Sequence, residues 1–201
     1  MAVMTRAPAL AAAEPLDGRR RRGQDNRARI IAAMMQIVQG GEVAPSAEQV
    51  AALADVGLRT VFRHFQDMDS LYREIAGVME AEVRLILDPP MQAQDWRGRL
   101  AELIVRRAQV FEKIAPFRRA ADAFKHRSKF LGSDYARLVR QLREGLAHVL
   151  PKEIANAPAK VEALDLLMSF EAWARLRREQ QLGPEAARRV VEQAVAAIVD
   201  A

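Results

Sequence analysis

The chain has no cysteine, and this absence excludes several kinds of functional site. Without thiols there can be no disulfide framework, no thiolate metal site and no cysteine nucleophile. The three histidines, His64, His126 and His148, stand far apart, and metal-binding spacings such as H-x-x-x-H do not occur. A glycine-rich phosphate loop and a G-x-S-x-G nucleophile elbow are also missing. We therefore expect a protein that is not an enzyme, and we assign no catalytic residue, no metal ligand and no cofactor.

Long apolar runs and β-strand patterns are missing as well. No uninterrupted apolar segment approaches the roughly 20 residues that a membrane span needs, so we expect no membrane association and a cytoplasmic protein. Aromatic residues make up only 5% of the chain, and runs of alternating β-branched residues are absent. Ala, Leu, Arg, Glu and Gln dominate instead, and these residues favour helix. With half of its 201 residues apolar, the chain can form a true core, and we predict an all-α fold.

The N-terminal region is rich in Ala and Pro and ends in a run of arginines. Arg6 is the only early charge and Pro8 interrupts the apolar stretch, so a disordered leader is favoured over a signal peptide. Four consecutive cations then follow, Arg19, Arg20, Arg21 and Arg22. Such a run can track phosphates as a basic arm, or it can be a solvated charge run, and both interpretations stay open. We assign residues 1–22 to a disordered basic leader. The net charge of +5 fits a nucleic-acid binder without requiring one.

The segment Ser46–Phe65 predicts two short helices joined by a tight turn. Ser46 and Gln49 form a capping-box pattern, in which each side chain can bond to the backbone N–H of the other residue. The following small apolar residues recur at helical spacing and line one face. Asp55-Val56-Gly57 then makes the break, because Asp and Gly tolerate the left-handed conformation better than most residues.

The second of these helices combines an apolar side with a polar side. Leu58, Val61, Phe62 and Phe65 form one apolar set, whereas Arg59, Thr60, Arg63 and His64 are predicted to point outward. A short braced helix that presents such side chains is typical of a helix-turn-helix, whose second helix enters the major groove of DNA. The alternative interpretation is an ordinary pair of packed helices in an all-helical bundle.

The stretch ADVGLRTVFRHF resembles the signature of the TetR/AcrR family of regulators, in which an AGVS turn leads into a T-x-Y-x-H-F helix. Thr60, His64 and Phe65 match that pattern, and the segment Gln66–Ile75 resembles the start of the family's next helix. The departures are Asp55 for Gly, Gly57 for Ser, Phe62 for Tyr and Met68 for Lys. Phe62 and Met68 lack polar groups that commonly touch phosphates in the family. The rest of the chain is matched only in architecture.

The resemblance implies a three-helix DNA-binding domain over residues 23–83 and a helical effector-binding and dimerisation domain over residues 95–201. It implies three partners: double-stranded DNA, a second copy bound through the last two helices, and an unknown small-molecule effector. A repressor released from a palindromic operator is the expected function. An activator, or a helical ligand-binding or scaffold protein with a degenerate helix-turn-helix, are the alternatives. The predicted DNA-contacting residues are Ser46, Gly57, Leu58, Arg59, Thr60, Phe62, Arg63, His64, Arg19, Arg20, Arg21 and Arg22.

Helix boundaries elsewhere follow from caps and breakers. We predict a first helix over Gln24–Gln39 with Asp25 and Asn26 as caps, and a fourth that Asp67 caps and the sequence Asp88-Pro89-Pro90 ends. Five further helices are predicted between Asp95 and Val199. Their predicted breaks are Pro116, Gly132-Ser133, Pro151 and Gly183-Pro184, with Ser133 as a cap and one long helix opening at Ala157-Pro158.

The middle helices should enclose an effector cavity if the resemblance holds. Their many arginines suit an anionic effector, or they form a solvated outer face. Each candidate wall residue can equally be plain core. The candidates are Leu103, Val110, Phe111, Phe124, Tyr135, Leu138, Leu167, Met168 and Trp173.

Overall fold

The computed structural model describes residues 15–201, with side chains described from residue 21 onward. Over this range every regular element is helical and no strand occurs, which confirms the all-α prediction. Residues 1–14, which hold most of the predicted leader, lie outside the described residues. The helices are α1 Pro15–Gln39, α2 Ala47–Leu53, α3 Leu58–His64, α4 Met68–Leu87, α5 Trp96–Phe124, α6 Leu131–Ala147, α7 Lys152–Ala155, α8 Pro158–Leu167, α9 Phe170–Arg178 and α10 Pro184–Asp200, with a 3-10 turn at Lys125–Arg127.

Helix α1 begins at Pro15, not at Gln24 as predicted. The segment 19–22 is therefore helical backbone and not an extended arm. Leu16 and the four arginines are good helix formers, and Pro15 is well tolerated in a first turn, so no cap is needed at residue 25. The predicted end is confirmed. Gly41 takes a φ of +99°, and its N–H donates to the Val38 carbonyl at 3.0 Å.

The first four helices share a tightly packed core. Ile30 and Met34 of α1, Val50 of α2, Val61 of α3 and Leu71 of α4 are at most 1% exposed. The N-terminus of α4 carries the predicted cap, because Asp67 Oδ1 accepts from the Ser70 N–H at 2.8 Å and Ser70 Oγ accepts from the Asp67 N–H at 3.3 Å.

Helix α5 passes through Pro116, so the predicted break there is wrong. A proline inside a helix removes one hydrogen bond and crowds the preceding turn, at a cost of about 3 kcal/mol. Buried side chains on both sides of Pro116, including Phe111, Ile114 and Ala120, anchor the two halves in the same core. Tertiary packing therefore overrides the local signal.

Two other predicted boundaries move because serines cap different positions. Helix α6 starts at Leu131, where Ser128 Oγ accepts from the N–H groups of Phe130 and Leu131 at 3.1 and 3.0 Å. Ser133, the predicted cap, instead donates from its hydroxyl to the Phe130 carbonyl. The long helix predicted from Pro158 splits into α8 and α9, because Ser169 Oγ accepts from the Ala172 N–H and starts a new helix. With the short α7, residues 95–201 contain six α-helices and not five.

A single cluster of buried apolar residues runs from Ile30 in α1 to Val195 in α10. Helix α5 is its axis, since it packs against α1, α4, α6, α9 and α10. Arg107 of α5 is the only charged side chain that is buried among the described residues. Its guanidinium donates to the carbonyls of Met168 and Leu142, so it ties α5 to the end of α8 and to α6. The segments 23–83 and 95–201 thus meet along α4 and α5.

Candidate nucleic-acid interface and adjoining cavities

Helices α2 and α3 form a capped pair with a four-residue connection. Ser46 Oγ accepts from the Gln49 N–H at 3.2 Å, and Gln49 Oε1 accepts from the Ser46 N–H at 2.7 Å, so the predicted capping box is present. Both partners lie at the surface end of α2. The cap fixes where α2 begins and so positions its N-terminal backbone amides, which are suited to anions.

The connection turns at Asp55, whose φ is +51°. The Val56 N–H donates to the Ala51 carbonyl at 3.0 Å and closes the turn. Gly57 is not left-handed. It is the N-cap of α3 with φ −69° and ψ 147°, and it supplies no side-chain cap. A side chain at Gly57 would meet no atom within 4 Å, so glycine is not required there.

Helix α3 buries only a narrow stripe. Val61 and Phe65 are 1% and 3% exposed, while Phe62 is 47% exposed. The prediction that Phe62 belongs to the inner apolar set is therefore wrong. Val61 and Phe65 are four residues apart and so point in nearly the same direction, whereas Phe62 is turned about 100° from Val61 toward solvent. Leu58, at 37% exposed, lies at the edge of the buried stripe.

The outer face of α3 consists of Arg59, Phe62 and Arg63, all exposed. Neither arginine forms an ion pair with any side chain in the described part of the chain. Arg27 of α1, by contrast, does form an ion pair. Arg27 is held by Glu74 at 2.5 Å and lies 4.9 Å from the centroid of the Phe65 ring, so it braces α1 against α4 and α3.

His64 and Thr60 were predicted to point outward, but both are half-buried. His64 Cε1 lies 4.0 Å from the position that a Cβ would take at Gly23, so the imidazole faces α1. Its Nε2 is buried without a hydrogen-bond partner among the described residues. Burial lowers the pKa of His64, and the positive charges of Arg63 and Arg27 lower it further. The neutral imidazole is thus the form that fits this contact.

The arginine run is described only in part. Arg21 and Arg22 are exposed on the first half of α1, whereas the side chains of Arg19 and Arg20 lie outside the described residues. Because residues 21 and 22 precede Gly23, which faces the His64 ring, the arginine run continues α1 beyond the place where it meets α3. Exposed cations therefore occur on α1 and α3, on either side of this contact.

A cavity of about 110 Å³, here called the chamber, lies between α4, α5 and α6 and reaches Val38 at the end of α1. Its walls are mainly apolar, with Ile75 and Met79 from α4 and Phe117 from α5. Of the predicted pocket residues, only Leu138 lines it. Two wider surface grooves adjoin it. One, of about 570 Å³ between α5, α6 and α9, includes Tyr135, and the other, of about 830 Å³ beside the end of α4, includes Leu103.

The other predicted pocket residues form core. Phe111, Leu167, Met168 and Trp173 surround a gap of only about 10 Å³. Val110 is completely buried. Phe124 stacks on Tyr72 with ring centroids 4.8 Å apart.

The chamber contains two of the middle-helix arginines, Arg118 and Arg137, and two acids that were not predicted there, Asp134 and Glu80. Arg137 lies 2.5 Å from Asp134 and 3.6 Å from Glu80, and it links α6 to α4. Arg118 enters from α5 and pairs with Asp122 at 3.1 Å. Burial raises the pKa of Asp134 and lowers that of Arg118. A polar i, i+3 pair on a helix gives no sign in sequence that it faces inward, so only packing reveals these residues.

Compared with known proteins, the chain matches no family model and no curated protein. No three His, Asp or Glu side chains converge as a metal-binding cluster in the described range. Each helix within residues 15–201 is too short or too polar to cross a lipid bilayer.

Proposed function

We propose that this protein is a DNA-binding transcriptional regulator of the TetR kind. The observation that carries the proposal is the outer face of α3, where Arg59 and Arg63 are exposed and have no ionic partner among the described residues. Unpaired arginines on a braced surface helix are suited to phosphates and to guanine edges. In this proposal α2 and α3 are a helix-turn-helix, and α3 enters the major groove by its N-terminal residues.

The exposed Phe62 belongs to the same surface. It takes the place at which the resembled family has a tyrosine, and its ring cannot donate a hydrogen bond to a phosphate. An exposed aromatic ring between two arginines instead offers apolar contact to a thymine methyl group or to a sugar. The proposal therefore assigns phosphate contacts to the arginines of α3 and to the helical arginine run of α1.

The proposed assembly is the predicted homodimer through the last two helices, of which the first splits into α8 and α9 and the second is α10. The exposed apolar side chains that favour it lie on α8 and α10. These helices pack against each other in the subunit, and each leaves a large apolar side chain at the surface, Leu166 at 67% exposed and Val190 at 41%. A second copy would cover both. A two-fold dimer presents two α3 helices to two half-sites, which calls for a palindromic operator.

Effector release is proposed to act through α4. This helix follows α3 directly, and its residues Ile75, Met79 and Glu80 line the chamber. A ligand that fits the chamber in only one arrangement of α4 would shift the population toward that arrangement. Repression relieved by such a ligand is the favoured sign of regulation. A transcriptional activator, the alternative, would use the same α3 surface, the same helix α4 and the same chamber.

The decisive experiment is fluorescence anisotropy of the purified protein with DNA from upstream of its own gene, beside a scrambled duplex, over a salt series. Affinity that prefers one sequence and falls steeply with salt supports a reader of DNA. Sites selected from a random-sequence library supply the operator if it lies elsewhere. Weak, equal binding to every duplex would instead favour the rival, a helical ligand-binding protein whose α2–α3 pair no longer reads DNA.

A further inference from the structure

Four buried side-chain atoms lack a hydrogen-bond partner among the described residues, namely His64 Nε2, Arg107 Nε, Arg118 Nε and Tyr135 Oη. Two of these four atoms, Arg118 Nε and Tyr135 Oη, belong to side chains that lie against each other. The guanidinium carbon of Arg118 lies 3.8 Å from the centroid of the Tyr135 ring. Both residues line the 570 Å³ groove between α5, α6 and α9.

Arg118 stands at the junction of that groove and the chamber. It lines both cavities, together with Ala121 and Leu131. The chamber on one side is largely apolar, while the groove on the other is lined by several charged side chains. A molecule lying across the junction would place an apolar body in the chamber and a polar group beside Arg118 and Tyr135.

The missing hydrogen-bond partner is an acceptor. An arginine Nε carries only a donor proton, and a tyrosine hydroxyl can donate as well. The two acids of the chamber do not need a cation from a ligand, since Asp134 and Glu80 both lie beside Arg137. Arg118 forms an ion pair only with Asp122 among the described residues, and the Asp122 side chain is 51% exposed. Burial lowers the pKa of Arg118, although the charges of Asp122, Glu171 and Asp134 oppose that effect. Native buried polar groups almost always have a partner.

The size of the chamber limits the apolar body. The chamber, at about 110 Å³, is smaller than the cavity of about 150 Å³ that accepts benzene. It adjoins the groove at Arg118, so the apolar body can be no larger than one ring or a short chain whose end extends into the groove. The lining includes the aromatic rings of Tyr72 and Phe117 and the side chain of Met79, which can pack against such an apolar body.

We infer that the chamber binds a small carboxylate with an apolar ring or short chain, and that the carboxylate accepts hydrogen bonds from Arg118 and Tyr135. The ligand site follows from the cavities and the two unpartnered donors alone. Its role as the effector that releases DNA rests on the proposed regulator function.

The site is tested without DNA, by isothermal titration calorimetry of the full-length protein with benzoate, its neutral amide benzamide and the cation benzylamine. We expect benzoate to bind one molecule per chain, with an affinity about tenfold or more above that of the other two, because charge-assisted hydrogen bonds are the stronger ones. Hexanoate is titrated as well, as a carboxylate with a short chain in place of the ring. The absence of any heat of binding from both benzoate and hexanoate in the millimolar range would overturn the inference. Tighter binding of benzylamine would also overturn it and would point to Asp134 and Glu80 as the ligand-binding pair.

Variants locate the site. Tyr135→Phe removes only the hydroxyl and should weaken benzoate binding several-fold, and Arg118→Gln should weaken it by about tenfold or more. Ala76→Leu places a larger side chain at the half-buried α4 wall of the chamber and should abolish binding. Arg119→Gln is the matched control, because Arg119 is exposed and lines neither the chamber nor either adjoining groove. Unchanged affinity in the Tyr135, Arg118 and Ala76 variants would place benzoate elsewhere and overturn the inference.

The two proposals fail separately. Benzoate binding in calorimetry, with no sequence-preferring DNA binding in anisotropy, would uphold the carboxylate site and reject the regulator. Sequence-preferring DNA binding with no carboxylate binding would do the reverse.

Discussion

The hydroxyl of Ser128 donates a hydrogen bond to Oδ1 of Asp69 across 59 positions of the chain. Asp69 lies in the first turn of α4, just after α3, and Ser128 Oγ accepts from the N–H groups of Phe130 and Leu131 at the start of α6. Two further contacts join the same regions. Arg73 lies 5.2 Å over the Phe130 ring, and Tyr72 of α4 stacks on the last residue of α5. The start of α4 is thus bonded to the α5–α6 connection, next to Leu131, the first residue of α6, which lines the chamber.

Ser128→Ala removes the donor to Asp69 and the acceptor of two backbone N–H groups, so it should lower the free energy of unfolding by about 1–2 kcal/mol. In a chain of this size the melting temperature should fall by about 2–8 °C, as calorimetry or circular dichroism can measure. Ser133→Ala is the matched control, because Ser133 is exposed and its hydroxyl bonds only to a carbonyl. Equal melting temperatures for the two variants would show that the Asp69 contact does not stabilise the fold. Under the proposed function, Ser128→Ala should also weaken the ligand-induced release of DNA.

Gly57→Ser should stabilise the protein. Gly57 has an ordinary N-cap conformation with open space at the Cβ position, so serine can add the missing cap and reduce the entropy of the unfolded chain. The expected gain is about 0.5–1 kcal/mol. Gly57→Ala separates the two effects, since alanine restricts the unfolded chain without capping α3. A serine variant that is no more stable than the alanine variant would mean that the hydroxyl does not cap.

Arg59→Ala should weaken binding to the operator by about 1–3 kcal/mol if Arg59 pairs with a guanine. An equal loss on operator and scrambled DNA would instead identify a phosphate contact. Arg140→Ala is the control for general charge loss, because Arg140 is exposed on α6, far along the chain from α3. Anisotropy at fixed salt measures all three proteins. A normal operator affinity for Arg59→Ala would remove this residue from the interface.

Leu166→Glu should convert the proposed dimer to a monomer, because a second subunit would have to bury the new carboxylate. Leu166 is 67% exposed in the single subunit, so the substitution leaves the core intact. Light scattering after size-exclusion chromatography measures the mass directly. Val139→Glu is the control, since Val139 is also an exposed apolar residue but lies on α6. If the Leu166 variant keeps the wild-type dimer mass, the α8–α10 surface is not the interface.

Acidification should destabilise the contact between α1 and α3. The pKa of His64 is lower in the folded protein than in the unfolded chain, so the unfolded chain binds the proton more readily, and stability falls as the pH drops through and below the ordinary pKa of about 6.5. Melting temperatures at a series of pH values from neutral to mildly acidic should therefore fall more steeply for the wild type than for His64→Gln. Parallel curves for the two proteins would show that His64 does not contribute to the pH dependence.

Local sequence signals were sufficient to predict a helix end or a cap where one short segment contains all the residues that take part in the interaction. The capping boxes at Ser46 and Asp67, the stop at Gly40-Gly41 and the start of α10 at Pro184 each involve residues within one turn, and the structure has all of them. Helical content likewise follows from composition, because propensity sums over many residues.

Contacts between residues distant in the chain decided the features that the sequence did not predict correctly. Buried anchors carry α5 through Pro116, and the narrow stripe of α3 leaves Phe62 exposed. Most of the predicted wall residues do not line the chamber, because core and cavity residues have the same apolar pattern in sequence. Only the packing of α4, α5 and α6 decides where space remains between these helices. The sequence by itself therefore determined the helical class, the α2–α3 pair and the caps at Ser46 and Asp67, since these depend on composition or on contacts within a few residues. The tertiary structure alone decided where the cavity lies and which charges enter it, since these depend on how distant helices meet.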